Sequence, residues 1–252
     1  SYTTRVLPTG YAGSLEPLIR PYMAHVVRRW ESQLAETDSS KPWVVTTRPF
    51  TEGWTRAVQN DRLIYYNLDD YELYRPDRAD RIKKREDRLI ERSRLTLCLS
   101  KHQVNALSQR HPMRAHRIRH FPLGVTDDFL NPHPRKPPEL NTVGYIGNLS
   151  DRIDWNLVDH VVRRCPELKF IFVGSLNTDA TVEWVHQREE VLSYDHVEHV
   201  DYVSQPEVKE YYWSFAANWI PYETSHPFNI ASCPTKIMDG IGSGRPVIST
   251  SV

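Results

Sequence analysis

With 252 residues the chain has room for one large domain or two of ordinary size. Apolar residues make up 39% and charged residues 25%, which excludes a disordered chain, and no apolar run approaches the roughly 18–20 residues of a membrane-spanning helix. Lys/Arg and Asp/Glu balance at 32 each, but residues 1–130 hold 22 basic against 16 acidic residues, and residues 131–252 hold 10 against 16. That asymmetry supports two domains, 1–130 and 131–252. A basic first half could suit an anionic partner, and the plainer reading is a solvated helix face. Cys98, Cys165 and Cys233 lie far apart with no metal-ligand spacing and read as reduced thiols of a cytoplasmic protein. The chain starts at Ser1, with neither an initiator Met nor a signal-peptide pattern.

In the first half a helix is expected over about 15–37, then a strand at KPWVVTTR (41–48). A short helix over about 52–60 precedes the strand RLIYYNL (62–68). A long charged helix over about 76–93 leads to the strand RLTLCLS (94–100), the helix KHQVNALSQRH (101–111) and the strand AHRIRHFPL (115–123). FLNPHPRKPPEL (129–140) has four prolines in twelve residues, a density that breaks helix and sheet and makes a stiff linker.

The second half alternates more cleanly. NTVGYIGNL (141–149) predicts a strand with Gly147 near its end. DWNLVDHVVRRCP (154–166) sets Trp155, Leu157, Val158, Val161 and Val162 at helical spacing behind an Asp154 N-cap. LKFIFVGS (168–175) is a continuous apolar run closed by Gly174, as in a strand buried on both faces. A helix over 178–193, a strand VEHVDYV (197–203) and a helix QPEVKEYYWSF (205–215) with Pro206 in its first turn come next. The strand AANWIPY (216–222), a helix opening at CPTKIMDG (233–240) and the strand PVIST (246–250) complete the chain. This alternation predicts an α/β fold with a parallel sheet covered by helices on both faces. Ligands of such sheets bind at the carboxyl ends of the strands, where Gly147, Gly174, Pro221 with Tyr222, and Thr250 fall.

Gly144 and Gly147 are spaced Gly-x-x-Gly and lack the three-glycine fingerprint of a dinucleotide site, so no NAD site is expected. A glycine at a strand end still lets backbone approach a phosphate closely. Arg152, just past that turn, offers its planar fork to a diphosphate, or is a surface arginine before an N-cap. Pro234 fits the first turn of a helix whose N-terminus presents free N–H groups and partial positive charge to an anion. Lys236 adds a full charge there. Asp239 shares its face at i,i+3, where its carboxylate can accept two hydrogen bonds from a ribose diol; the plainer reading is a Lys–Asp salt bridge.

IPYETSHPFNIASCPTKIMDGIGSGRPVIST (220–250) resembles the donor-binding segment of GT-B glycosyltransferases of the glycosyltransferase-4-like group. The shared pattern is Ile220-Pro221-Tyr222, a polar loop, Pro234-x-Lys236-x-x-Asp239 at a helix start, and Gly244-Arg245-Pro246-Val247-Ile248-Ser249-Thr250. Asp239 stands where that group usually has Glu, and Gly240 where an aromatic is common. GYIGNLSDRIDWNLV (144–158) is similar to the first strand and helix of the same donor domain. HFPLGVTDDF (120–129), YYNLDDY (65–71), Glu86 and LCLSKHQVNAL (97–107) resemble motifs of the acceptor-side domain.

The resemblance implies two Rossmann-like domains, both incomplete here, so that the chain is expected to be an internal fragment. It implies a nucleotide-diphosphate-sugar as co-substrate, no other cofactor, no metal, and a retaining transfer to a glycan or lipid-linked acceptor. The diphosphate is expected near Gly147, Arg152, Pro234 and Lys236, and the ribose on Asp239. His226 and Asn229 are candidate sugar or loop contacts, with capping the alternative. Asp69, Asp70 and Glu86 are candidates for the acceptor side. Turn formation and capping are the alternative for the two aspartates, and exposed pairing with arginines for Glu86. No catalytic residue is assigned. A peripheral contact at the inner membrane face stays open through RPDRADRIKKREDRLIERSR (75–94), although its interleaved charges favour internal pairing. Nucleic acid is not expected, because basic residues are mixed with acidic ones. A non-catalytic or epimerase-type nucleotide-sugar binding protein is the rival reading.

Overall fold

The computed structural model describes residues 16–37, 43–53, 55–130, 137–176 and 183–251. The chain divides into two compact units, Ser1–Pro122 and Leu123–Val252.

The first unit contains helix α1 (Glu16–Thr37), strands β1 (Val44–Thr46) and β2 (Leu63–Asn67), helices α2 (Tyr71–Tyr74) and α3 (Ala79–Arg92), strand β3 (Leu95–Cys98), helix α4 (Lys101–Arg110) and strand β4 (Ile118–His120). Its four strands are parallel, in the order β1-β2-β3-β4. Side chains alternate across β2, so Leu63 and Tyr65 point one way, onto Leu89 and Ile90 of α3 and Leu107 of α4. A capping box starts α4: Gln103 N donates to Ser100 Oγ at 3.1 Å, and Ser100 N donates to Gln103 Oε1 at 3.2 Å.

Two expected elements differ. The helix expected over 52–60 is replaced by 3-10 turns at Thr55–Ala57 and Asn60–Arg62. Here side chains compete for the backbone, as when Thr55 Oγ1 donates to Glu52 O at 3.0 Å. The strand expected over 115–123 is confined to β4, because a 3-10 stretch beginning at Pro112 runs to Arg117.

The second unit contains β5 (Glu139–Ile146), α5 (Trp155–Arg164), β6 (Lys169–Val173), α6 (Glu183–Leu192), β7 (Val197–Val200), α7 (Gln205–Ser214), β8 (Phe215–Ile220), α8 (Pro227–Ala231), α9 (Thr235–Gly242) and β9 (Val247–Ser249). All five strands are parallel, in the order β7-β6-β5-β8-β9. Tyr145, Phe170, Phe172 and Trp219 pack with Trp155, Val158 and Val162 of α5 and Val191 of α6. Ile171, Val173 and Phe215 form a second cluster, against Tyr211 of α7. The helical spacing read in 154–166 is thereby explained: its innermost positions fill one layer of a sheet buried on both faces.

The division at Pro122/Leu123 falls ahead of the expected boundary at 130/131 because residues 123–130 pack on the second unit. Phe129 meets Tyr212 edge-on at 5.7 Å, and Val125 lies against Gly242. Residues 131–136 of the proline-rich linker, and 178–182 of the helix expected over 178–193, lie outside the described residues. The three cysteines are free, and burial pushes the Cys98 thiol up to about 12. Among the described residues no helix is long and apolar enough to cross a membrane.

Candidate functional site

From β5 the chain builds outward through β6 to β7, then returns to add β8 and β9 on the other side of β5. The strand order therefore reverses between β5 and β8, and parallel sheets bind ligands at the carboxyl ends of the strands at such a reversal. The segments leaving those two ends are joined. Ile153 and Tyr222 form an antiparallel bridge, Asp154 N donates to Pro221 O at 2.9 Å, and Glu223 N donates to Arg152 O at 2.9 Å. Beyond β9, Thr250 Oγ1 donates to Tyr222 O at 2.7 Å.

Gly147 follows β5 with φ +141°, a conformation that side chains other than glycine rarely adopt. A Cβ at Gly147 would also collide with Cε and Nζ of Lys236, which reaches over the strand end from the first turn of α9. Lys236 Nζ lies 5.8 Å from the ring centroids of both Tyr145 and Tyr222. Arg152 Cζ lies 5.0 Å from the Tyr222 centroid. Arg152 Nε donates to Asn229 Oδ1 at 2.8 Å and Nη2 to Ser232 Oγ at 3.3 Å. These partners are all neutral. Among the described residues neither Lys236 nor Arg152 forms an ion pair with a carboxylate.

The Lys236–Asp239 salt bridge weighed from the sequence is thus not formed. Asp239 is half-buried, and burial raises its carboxyl above the usual range while the Lys236 charge pulls it down. A cation in the first turn of a helix opposes the helix dipole at a cost of about 0.3–1 kcal/mol. Pro234, at the N-cap, supplies no side-chain acceptor for the first N–H groups of α9. Lys236 covers Gly147 at the start of α9 and shares the Tyr222 ring with Arg152, and among the described residues neither cation is ion-paired with a carboxylate.

His226 and Asn229 are engaged with the protein. His226 caps α8, Nδ1 accepting from Phe228 N at 3.2 Å, and its Nε2 lies 3.5 Å from Asp151 Oδ2. Asn229 is 0% exposed, and its Nδ2 donates to the carbonyls of Arg152 and Glu223, each at 2.9 Å. Gly240 is buried, and a Cβ there would come 2.8 Å from Val247 Cγ2, so the position has no room for the aromatic common in the resembling group.

The first-unit candidates serve local structure. Asp70 caps α2 by accepting from Glu72 N at 3.1 Å. Asp69 accepts from Asp70 N at 2.9 Å and from the Tyr74 hydroxyl. Glu86 is 5% exposed and accepts from Tyr65 OH at 2.8 Å, Asn67 Nδ2 at 3.0 Å and Arg110. Burial raises its carboxyl, and Arg110 opposes the rise. Glu86 therefore pairs with an arginine as the sequence allowed, but in the interior.

Tyr145, Ser232 and Arg188 went unnoticed in the sequence. Tyr145 OH donates to Asn148 O at 3.1 Å, Arg188 Nη1 to Leu149 O at 3.2 Å and Trp155 Nε1 to Ser150 O at 3.0 Å. Three side chains thus hold three successive carbonyls of the loop after β5. Only the alternation that turns Tyr145 inward was readable. Among the described residues no group of three or more His, Cys, Asp or Glu is placed to hold a metal.

No protein-family model matches the chain. TuaH of Bacillus subtilis (strain 168), a glycosyltransferase assigned to teichuronic acid biosynthesis, is 22% identical over 178 residues, which are 68% of this chain and 44% of that protein. HepE of Anabaena, solved in complex with UDP and glucose, matches 96% of this chain and 65% of its own at 15% identity, with a TM-score of 0.62. Sucrose-phosphate synthase from Thermosynechococcus elongatus matches 98% of this chain and 63% of its own, also at 15% identity and a TM-score of 0.62. The chain has the GT-B fold. It spans less than two thirds of each of these three proteins. Within the GT-B frame the two cations, Gly147 and the start of α9 all belong to the second Rossmann-like unit.

Proposed function

We propose that the protein is a glycosyltransferase that moves a sugar from a nucleotide-diphosphate-sugar to a glycan or lipid-linked acceptor, with retention and without a metal. The observation that carries the proposal is the unneutralised pair Lys236 and Arg152 beside the start of α9, at the reversal point of the sheet. A diphosphate supplies the missing negative charge. Glycosyl transfer leaves charge on that diphosphate as the sugar departs, and donors already aimed at it stabilise the departing group without reorganising. Pro234 leaves the first N–H groups of α9 open to phosphate oxygens. Asp239, one helical turn beyond Lys236, receives the ribose hydroxyls. HepE, solved in complex with UDP, makes a uridine donor the first to try. The GT-B likeness supports a soluble cytoplasmic enzyme, and a peripheral membrane contact is part of the proposal only through its lipid-linked acceptor.

The test is nucleotide release from UDP-, GDP- and dTDP-sugars by the full-length protein, with and without chelator. One donor is expected to be consumed, with chelator making no difference. Lys236→Ala is expected to lower kcat/KM by about 100-fold, the scale of losing one preorganised donor to a charged transition state. Donor binding without release in the presence of varied acceptors would favour the non-catalytic reading. Absence of both would overturn the proposal.

A further inference from the structure

We propose that Asn229 is a positioning residue that fixes the Arg152 guanidinium toward the bound anion while leaving its charge unspent. The inference rests on the reading of this site as an anion site. One amide grips Arg152 at both ends. Asn229 Oδ1 accepts from Arg152 Nε at 2.8 Å, and Asn229 Nδ2 donates to the Arg152 carbonyl at 2.9 Å. The same Nδ2 donates to the Glu223 carbonyl at 2.9 Å, so Asn229 also pins the loop after β8 to the loop after β5. It is 0% exposed, which removes water as a competing partner and leaves the amide one orientation.

The neutrality of this partner matters. Arginine has a rigid fork of donors, and a buried carboxylate would take it up bidentately and cancel its charge. An amide oxygen orients the same fork through Nε and leaves the charge for a ligand. Ser232 Oγ, accepting from Nη2 at 3.3 Å, and the Tyr222 ring, 5.0 Å from Cζ, hold the guanidinium in the same neutral manner. Arg152 Nη1 takes no part in these bonds. This replaces the reading of Asn229 as a direct sugar contact, since its amide is wholly engaged with protein.

UDP binding to the full chain by calorimetry tests it, on wild type, Asn229→Ala, Arg152→Ala, the double variant and Lys236→Ala. Asn229→Ala is expected to weaken UDP by about 10-fold, and by nothing further once Arg152 is absent, because residues acting through one group are strongly coupled. Equal losses from Asn229→Ala in both backgrounds, or no loss at all, would overturn the inference. Asn229→Asp gives a second decision if the alanine variant does not fold. A carboxylate there forfeits the two bonds that Nδ2 donates and neutralises Arg152, so it is expected to weaken UDP by more than about 10-fold beside Arg152 and by nothing further when Arg152 is alanine, whereas a purely structural role gives the same loss in both backgrounds. Wild type that binds no UDP, GDP or dTDP, or binding indifferent to Lys236→Ala, would overturn the anion-site reading itself. Binding that needs Lys236 but not Asn229 would overturn this inference alone.

Discussion

Lys236 and Glu86 show opposite uses of a charge that the fold does not favour. Lys236 stands in the first turn of α9, over Gly147 and two phenol rings, without a protein anion. Glu86 is buried but satisfied by Tyr65, Asn67 and Arg110, which come from β2 and α4. Burial raises the Glu86 carboxyl above its unfolded value, so the folded chain holds a proton that the unfolded chain releases. Stability is then lost as pH rises from the ordinary Glu range through the folded value. Glu86→Gln has no such proton to lose. Urea unfolding of the two proteins from about pH 4 upward should show wild type losing stability relative to Glu86→Gln as pH rises. A constant gap would mean that Arg110 balances burial, and one that changes in the opposite direction that it outweighs burial. Neither residue's environment was legible in the sequence. Lys236-x-x-Asp239 fits a salt bridge equally well, and nothing local shows that Glu86 meets partners from other elements.

Elements were legible where periodicity is long and illegible where a side chain alone makes the turn. The buried face of α5, Trp155, Val158 and Val162, repeats the spacing in 154–166, and the apolar run at 168–175 is the doubly buried β6. In contrast, α2 and α8 have four and five residues, too few to show a period, and are fixed by the caps Asp70 and His226. Trp155 joins the core to the site: its ring packs with Phe172 at 6.0 Å and its Nε1 holds the Ser150 carbonyl at 3.0 Å. Trp155→Ala is expected to destabilise the chain by about 3–5 kcal/mol in denaturant unfolding, the cost of emptying a large core position. A loss under about 1 kcal/mol would show that the α5 layer is not well packed there.

At the scale of the whole molecule, alternation of strand and helix gave the α/β class, and the motif resemblance gave the GT-B fold that the solved structures share. Strand order was not legible, since chain order says nothing about β8 returning to the side of β5. That return creates the site. It brings Gly147 and Arg152, which follow β5, against Tyr222 and Asn229, which follow β8, and then against Lys236. These residues lie up to about ninety positions apart, so their types were readable and their convergence was not. We propose that this convergence binds a nucleoside diphosphate. The most direct test is calorimetric titration of UDP, GDP and dTDP, with uridine as the phosphate-free control, against the full-length protein and Lys236→Ala. One diphosphate is expected to bind, uridine far more weakly, and Lys236→Ala is expected to cost about 10- to 150-fold, the worth of a charge-assisted hydrogen bond. Uridine binding as tightly as UDP, or a diphosphate affinity that ignores Lys236, would contradict it.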